Sequence, residues 1–393
     1  MFRLTTNLKR LKNGQPVAKR TGPRTDVAPM VIWNLTRTCN LECVHCYASS
    51  KQRDYTGEVT TEQAFDVLEQ LKEARCNTLV LSGGEPLYRE DLFKIAQRAK
   101  ELGFYLALSS NGTMIEEKEA ELLKTSGFDY IGVSLDGIGA LHDKFRRMDG
   151  AFDLALRGLK LCRDKGLRTG VRFTLTKMNQ ADLPRMFELV EKNRIDKIYI
   201  SHLVFSGRGI ENSCEALEPE RTREAVAMVI EKALYYVENN IPIEVVTGNN
   251  DADAVFFFME YTAKNPANGE KLLTMLENWG GNNAGLGVAN IDPLGEVHPD
   301  PLMSGVKLGN IKNERFGKIW YQSENPVLNR LRERPRPLLG RCGKCEWIKI
   351  CGGNSRTRSE RAAGDLMASD PACYLTDEEI FQQATGISTS CNC

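Results

Sequence analysis

Six short apolar stretches recur between residues 30 and 202, and helix-like stretches separate them. The apolar ones are Met30–Asn34, Thr78–Ser82, Tyr105–Ser109, Tyr130–Ser134, Gly170–Leu175 and Lys197–His202. Their β-branched and aromatic content reads as strands buried on both faces. The amphipathic stretches between them are Thr61–Lys72, Arg89–Leu102, Glu116–Ser126, Ala151–Lys165 and Gln180–Lys192. Gly127 and Gly166 close the third and fourth, as glycine does at helix ends. Asp182-Leu183-Pro184 predicts a cap and a first-turn proline for the fifth. An unbroken run of such units demands right-handed crossovers and a parallel sheet. The sheet is either doubly wound or curled into a partial barrel, and both collect ligands at the C-terminal ends of the strands.

The punctuation of the chain falls at those ends. Ser82-Gly83-Gly84-Glu85-Pro86, Ser109-Ser110-Asn111-Gly112 and Ser134-Leu135-Asp136-Gly137 each follow a strand, and Cys39, Cys43 and Cys46 follow the first. Three thiols are too few for a closed structural metal site and the wrong parity for a disulfide framework. Thiolates at this spacing suit an iron–sulfur cluster. With only three protein ligands a four-iron cluster keeps one iron open, as catalytic zinc sites keep one position open. A zinc site completed by His45 is the alternative.

Composition narrows the setting. Lys+Arg and Asp+Glu are both 52, which argues against a general binder of nucleic acid or membrane surface. No apolar run reaches membrane-spanning length, and the basic N-terminus lacks the apolar core of a secretory signal. The chain reads as cytoplasmic, where its 12 cysteines stay reduced. Cys76, Cys162 and Cys214 read as small buried hydrophobes. Cys391 and Cys393 fall in a polar tail, 381–393, expected to be mobile.

Past residue 207 the alternation stops. Pro219–Asn239 reads as a helix, 241–283 as a linker or insert, and Val288–His298 as a hairpin turning at Asp292-Pro293-Leu294-Gly295. Cys342, Cys345, Cys351 and Cys373 then supply four thiols, a closed set that suits zinc or a cluster equally by spacing.

The cysteine triad with Gly83-Gly84-Glu85-Pro86 resembles the radical S-adenosylmethionine (SAM) family, although the usual aromatic position before the last cysteine is His45 here and Tyr47 follows. The resemblance implies a partial (β/α)6 barrel over 29–240, entered by a basic arm at 1–28. It implies a 4Fe-4S cluster on Cys39, Cys43 and Cys46, with SAM chelating the open iron. Gly83, Gly84, Glu85, Asn111, Ser134 and Arg146 would contact SAM, and the bound pair would yield a 5′-deoxyadenosyl radical. His142 would be a structural hydrogen-bonder. The hairpin and four later cysteines resemble the SPASM or twitch extension of this family, implying a domain at 284–380 with one auxiliary 4Fe-4S cluster. Val31–Cys39, His142–Arg146, Val297–Asp300 and Asp370–Leu375 most resemble the radical enzymes of heme d1 biosynthesis. That implies removal of propionate side chains from 12,18-didecarboxysiroheme, an iron tetrapyrrole, with an external low-potential electron donor. Arg172 and Arg208 would pair with substrate carboxylates, and His202 or His298 would face its iron. The siroheme-branch decarboxylase, which trims acetate to methyl, and the SPASM-type peptide-modifying enzymes are the alternatives.

Overall fold

A computed structural model describes residues 1–20, 25 and 27–381. The chain opens with Phe2–Arg3 (β1) and the helix Leu4–Lys12 (α1). The parallel strands are Met30–Asn34 (β2), Thr78–Ser82 (β3), Tyr105–Ser110 (β4), Tyr130–Ser134 (β5), Thr169–Leu175 (β6), Lys197–His202 (β7) and Glu244–Gly248 (β8). The helices between them are Thr61–Glu73 (α2), Leu92–Glu101 (α3), Glu117–Thr125 (α4), Ala140–Arg146 (α5), Ala151–Asp164 (α6), Leu183–Lys192 (α7) and Pro219–Glu238 (α8).

Local chemistry sets the boundaries. Thr60 and Gln63 form a reciprocal capping box that starts α2. Gly127 and Gly166 take φ of +82° and +72° and end their helices as expected. The stretch from Arg89 does not begin a helix, because Arg89 is drawn to Asp91 and to the carbonyls of Leu35 and Val59. Pro184 lies in the first turn of α7, but Asp182 does not cap it. A 3-10 turn over Gln180–Asp182 leads into the helix, and the Asp182 carboxylate accepts from the Ile138 amide and Arg185 instead.

The sheet has eleven strands. Its order is β1-β8-β7-β6-β5-β4-β3-β2, continued by Val288–Ile291 (β9), Glu296–His298 (β10) and Gly309–Asn310 (β11). β9 pairs parallel with β2, so the C-terminal hairpin extends the main sheet. Among the described residues β1 and β11 are the edges, so the sheet is open.

Alternate residues of each strand face different surroundings. Val31, Trp33, Leu79, Leu81, Leu106, Leu108, Ile131 and Val133 share one core with Leu68, Ile95, Leu123, Leu159 and Phe187 of the crossover helices. The opposite face carries a small separate apolar cluster of Val80, Ala107 and Tyr130. Helices on one side only are the arrangement of an open barrel, not a doubly wound sheet. The strands are therefore not apolar on both faces: the second face bears Asn34, Ser82, Ser109, Ser134, Arg172 and Tyr199 by the same alternation.

Two segments depart from the expectation. The first twelve residues are not a free arm: β1 pairs with β8, and Leu4, Leu8 and Leu11 line the buried side of α1. Residues 241–283 are no linker either. They supply β8 and the helices Ala252–Lys264 (α9) and Gly269–Trp279 (α10), whose Phe256, Phe257, Leu272 and Leu276 join the main core. β8 begins with a charged residue, Glu244, and its neutralising partners Arg3, Arg168 and Lys197 lie far away in sequence. Among the described residues no helix is long and apolar enough to cross a membrane. Cys391 and Cys393 lie outside the described residues.

Candidate functional site

The loop after β2 is clamped by backbone. The Gly84 amide donates to the Thr36 carbonyl at 2.7 Å and the Glu85 amide to the Thr38 carbonyl at 2.8 Å. A Cβ on Gly84 would collide with the Thr38 carbonyl, and one on Gly83 would meet the Thr36 carbonyl at 2.6 Å. The close approach that the glycines permit here is therefore to the chain that leads straight into Cys39.

Glu85 is fully buried, and both its oxygens are used. Oε1 accepts from Ser110 Oγ at 2.8 Å and the Leu87 amide at 3.3 Å; Oε2 accepts from the Asn111 amide at 2.8 Å. Burial lifts its pKa from 4.5 to about 7 despite these bonds. Glu85 thus fastens the turn after β4 beneath the cysteine loop. That turn holds Asn111, whose amide donates to Asn40 Oδ1 at 2.8 Å and lies 3.8 Å from Cys39 Sγ.

Arg146, at the end of α5, reaches the opposite side of the loop. Its Nη1 donates to Cys43 Sγ at 3.4 Å, and Nη2 pairs with Asp136. Burial works against the charge, but Asp136 and Cys43 outweigh it and hold the arginine pKa above its ordinary value. Asp136 also accepts from the Thr174 amide at 2.7 Å and lies 3.7 Å from His45 Nε2. Burial also favours neutral histidines, pushing His45 and His142 down to about 4. His142 accepts from the Asp136 amide at 3.0 Å, a structural bond. Ser134, half-buried at the end of β5, has no side-chain hydrogen bond among the described residues.

Arg208 departs from its expected role. It is buried against the cysteine loop, donating to the carbonyls of Cys43 at 2.7 Å and Ser50 at 3.0 Å. Asn212 donates to the Val44 carbonyl at 2.7 Å. Tyr47 reaches back to Asn34 Oδ1 at 3.0 Å. Around the loop, Arg146 Nε, His45 Nδ1 and Arg208 Nη2 are buried without a partner, as polar groups are when a ligand belongs beside them.

On the open face of the sheet, Arg172 donates to Ser109 Oγ at 2.8 Å and has no carboxylate partner among the described residues. Gly132 makes room for it: a Cβ there would sit 2.9 Å from Arg172 Nε. His202 does not stand free, since its Nε2 lies 3.0 Å from Asp253 Oδ2. His298 is buried in the hairpin with Nδ1 2.8 Å from the Val306 carbonyl. Its Nε2 is buried without a hydrogen-bond partner among the described residues, 3.8 Å from Asp292 Oδ2.

The four later cysteines line one small apolar hollow with Trp347, Ile348 and Leu375. The hollow is tied to the barrel by Arg358, which grips Asp370 through Nε and Nη2, both at 2.9 Å, and the Leu203 carbonyl at 3.0 Å. Burial raises Cys39 to about 12 and Cys345 to about 11, and lifts Cys43, Cys351 and Cys373 as well. Such thiols ionise when a metal replaces the proton. As placed, no three His, Cys, Asp or Glu side chains among the described residues converge on a single-ion site. Cys76 and Cys162 are buried as expected, whereas Cys214 is exposed in the short turn Ser213–Glu215. A further hollow, lined by Val27–Met30, Arg75, Asn77 and Thr78, opens at the N-terminal ends of the strands, away from the cysteines.

Residues 33–190 match the family model described as the Radical SAM superfamily. The chain is 47% identical over 383 residues to the pre-heme d1 synthase of Dinoroseobacter shibae, covering 96% of this chain and 93% of that protein. The chain belongs to the radical SAM superfamily. It is also 40% identical to the Fe-coproporphyrin III synthase of Methanosarcina barkeri over 90% of each chain. In fold it is similar to Streptococcus suis SuiB bound to S-adenosylmethionine (TM-score 0.69, 17% identity, 88% of this chain and 77% of that one). It is similarly close to anSMEcpe with bound AdoMet (TM-score 0.67, 17% identity, 90% and 95%).

The radical SAM family implies SAM and a 4Fe-4S cluster, and the residues present fit both. The loop carries two buried thiols, Cys39 and Cys43, and the half-buried Cys46, and three orphaned nitrogens accompany them. Asp136 has a role at this site that sequence reasoning did not give it, and Arg208 has a different one from that expected. Asp136 was visible only as the third residue of the Ser134–Gly137 turn. Arg208 lies 165 residues from Cys43, too far for any local pattern to join them.

Proposed function

We propose that this radical SAM enzyme acts in heme d1 biosynthesis, removing propionate side chains from 12,18-didecarboxysiroheme. The observation that carries the reading is the 47% identity to a pre-heme d1 synthase across 96% of the chain. Cys39, Cys43 and Cys46 would hold the cluster, and Ser134, Asn111 and the residues around Gly83–Glu85 would frame SAM. When bound, these groups supply a 5′-deoxyadenosyl radical that abstracts hydrogen from an unactivated carbon. The protein's own contribution is to aim and shield that chemistry. Arg146 holds a positive charge beside Cys43, and Asp136 fixes its guanidinium. Arg172, charged and without a carboxylate partner on the open face, binds a substrate carboxylate, a pairing for which a guanidinium fork is suited. The four-cysteine hollow holds the single auxiliary 4Fe-4S cluster of a SPASM or twitch-like domain, and an external donor supplies electrons.

The 40% identity to an Fe-coproporphyrin III synthase supports a second reading, acetate trimming on a similar tetrapyrrole. Reduced protein incubated with SAM and 12,18-didecarboxysiroheme separates the two by product mass. Loss of propionate-derived mass is expected; loss of acetate-derived mass selects the second reading, and an unaltered substrate contradicts both. Arg172→Ala should raise the KM for the tetrapyrrole at least about tenfold, the worth of one charge-assisted pair, while SAM cleavage without substrate is unchanged.

A further inference from the structure

Two buried guanidiniums accompany the four-cysteine hollow, and neither forms an ion pair with a carboxylate among the described residues. Arg356 opens the helix Arg356–Ala363 and is 1% exposed. Its Nη1 donates to the carbonyls of Leu366 and Ala368 at 2.9 and 2.8 Å, while Nε and Nη2 are buried without partners. Asp370, the carboxylate whose field reaches it, is already gripped at both oxygens by Arg358. The guanidinium stands against the hollow itself: a Cβ on Gly353, which lines it with the four cysteines, would sit 3.3 Å from Arg356 Cζ.

Arg336 repeats the pattern. It is 4% exposed and donates to the carbonyls of Leu331, Gly352, Asn282 and Ala284 and to Asn282 Oδ1, with no ion pair among the described residues. Its Nη1 bond to the Gly352 carbonyl, at 2.7 Å, sets it next to Cys351, and Asp251 is the carboxylate whose charge reaches it. Burial disfavours the charge on both arginines. A buried guanidinium without a counter-charge is costly, and two beside one ligand set call for an anion there. A four-iron core held by four thiolates is such an anion, and its charge and surroundings set its reduction potential.

We propose that Arg356, seconded by Arg336, is the built-in counter-charge of the group bound by Cys342, Cys345, Cys351 and Cys373, and holds its reduction potential up. This rests on reading the four cysteines as a cluster site. The test uses the full chain carrying Cys39→Ala, Cys43→Ala and Cys46→Ala, so that only the second centre reports. Metal analysis comes first: zinc without iron overturns the cluster reading itself. With iron present, EPR-monitored redox titration compares the parent with Arg356→Gln and Arg356→Lys. The glutamine variant should shift to lower potential by at least a tenfold change in the equilibrium constant, about 59 mV for one electron, and the lysine variant should stay near the parent. A glutamine variant with full iron and unchanged potential overturns the proposal, as does an equal fall in both variants, which would mean packing and not charge. If Arg356→Gln holds no cluster, recovery of iron in Arg356→Lys supports the proposal, and an equally empty lysine variant overturns it.

Discussion

The two cysteine sets are built on opposite plans. The three-cysteine loop hangs from the C-terminal end of β2 and is clamped from several sides: Gly84 and Glu85 below, Asn111 beside Cys39, Arg146 and Arg208 around Cys43. Its counter-charge, Arg146, is itself fixed by Asp136. The four-cysteine hollow is lined by apolar side chains, and Arg356 beside it bonds only to carbonyls, with Nε and Nη2 lacking partners among the described residues. On the proposed reading, one set would leave a position for a small molecule on a polar rim; the other would supply every ligand itself, among apolar side chains. Ligand number and surroundings together separate a centre that does chemistry from one closed to substrate.

The comparison breaks most sharply under cysteine replacement. Cys43→Ala should abolish formation of 5′-deoxyadenosine, measured by chromatography, while retaining about four irons in the second set. Cys345→Ala should lose a similar amount of iron yet still cleave SAM. Equal loss in both variants would merge the two sites into one.

Gly84→Ala comes next. A methyl group there meets the Thr38 backbone carbonyl, which cannot swing aside as a side chain can. Iron should fall selectively at the first site, with the spectrum of the second retained. Arg146→Ala should then cost about 3–5 kcal/mol of stability by denaturant titration, because it strands Asp136 as an unpaired buried charge. Arg146→Lys should recover part of that.

The smallest effect is the pH response of Glu85. Burial lifts its pKa from 4.5 to about 7. Between those values the folded chain keeps a proton that the unfolded chain has released. This group's contribution to stability is therefore fully present below about 4.5 and is lost as pH rises through about 7. Thermal midpoints at pH 5 and pH 8 should differ more in the parent than in Glu85→Gln, and equal differences would contradict the assignment.

The strands from β2 to β7 were legible because each concentrates β-branched and aromatic residues between clear breaks. β8 was not, because Glu244 breaks its apolar pattern and its cationic partners lie on β1, just before β6 and on β7. The helix α1 hid for a related reason: Lys9, Arg10 and Lys12 mask the stripe of Leu4, Leu8 and Leu11. At the site, cysteine spacing and glycine turns carried the chemistry openly. What stayed hidden were pairings across long sequence separations. Arg208, an apparent substrate arginine, instead supports the cysteine loop, and His202 is held by Asp253, 51 residues on. A single arginine or histidine in sequence does not disclose what it is bonded to.

The proposed contrast between an open and a closed centre is tested most directly by EPR of the iron-reconstituted, reduced protein with and without SAM. The signal of the centre held by Cys39, Cys43 and Cys46 should change on adding SAM, and that of the centre held by Cys342, Cys345, Cys351 and Cys373 should not. A shift in the second signal, or none in the first, would contradict it.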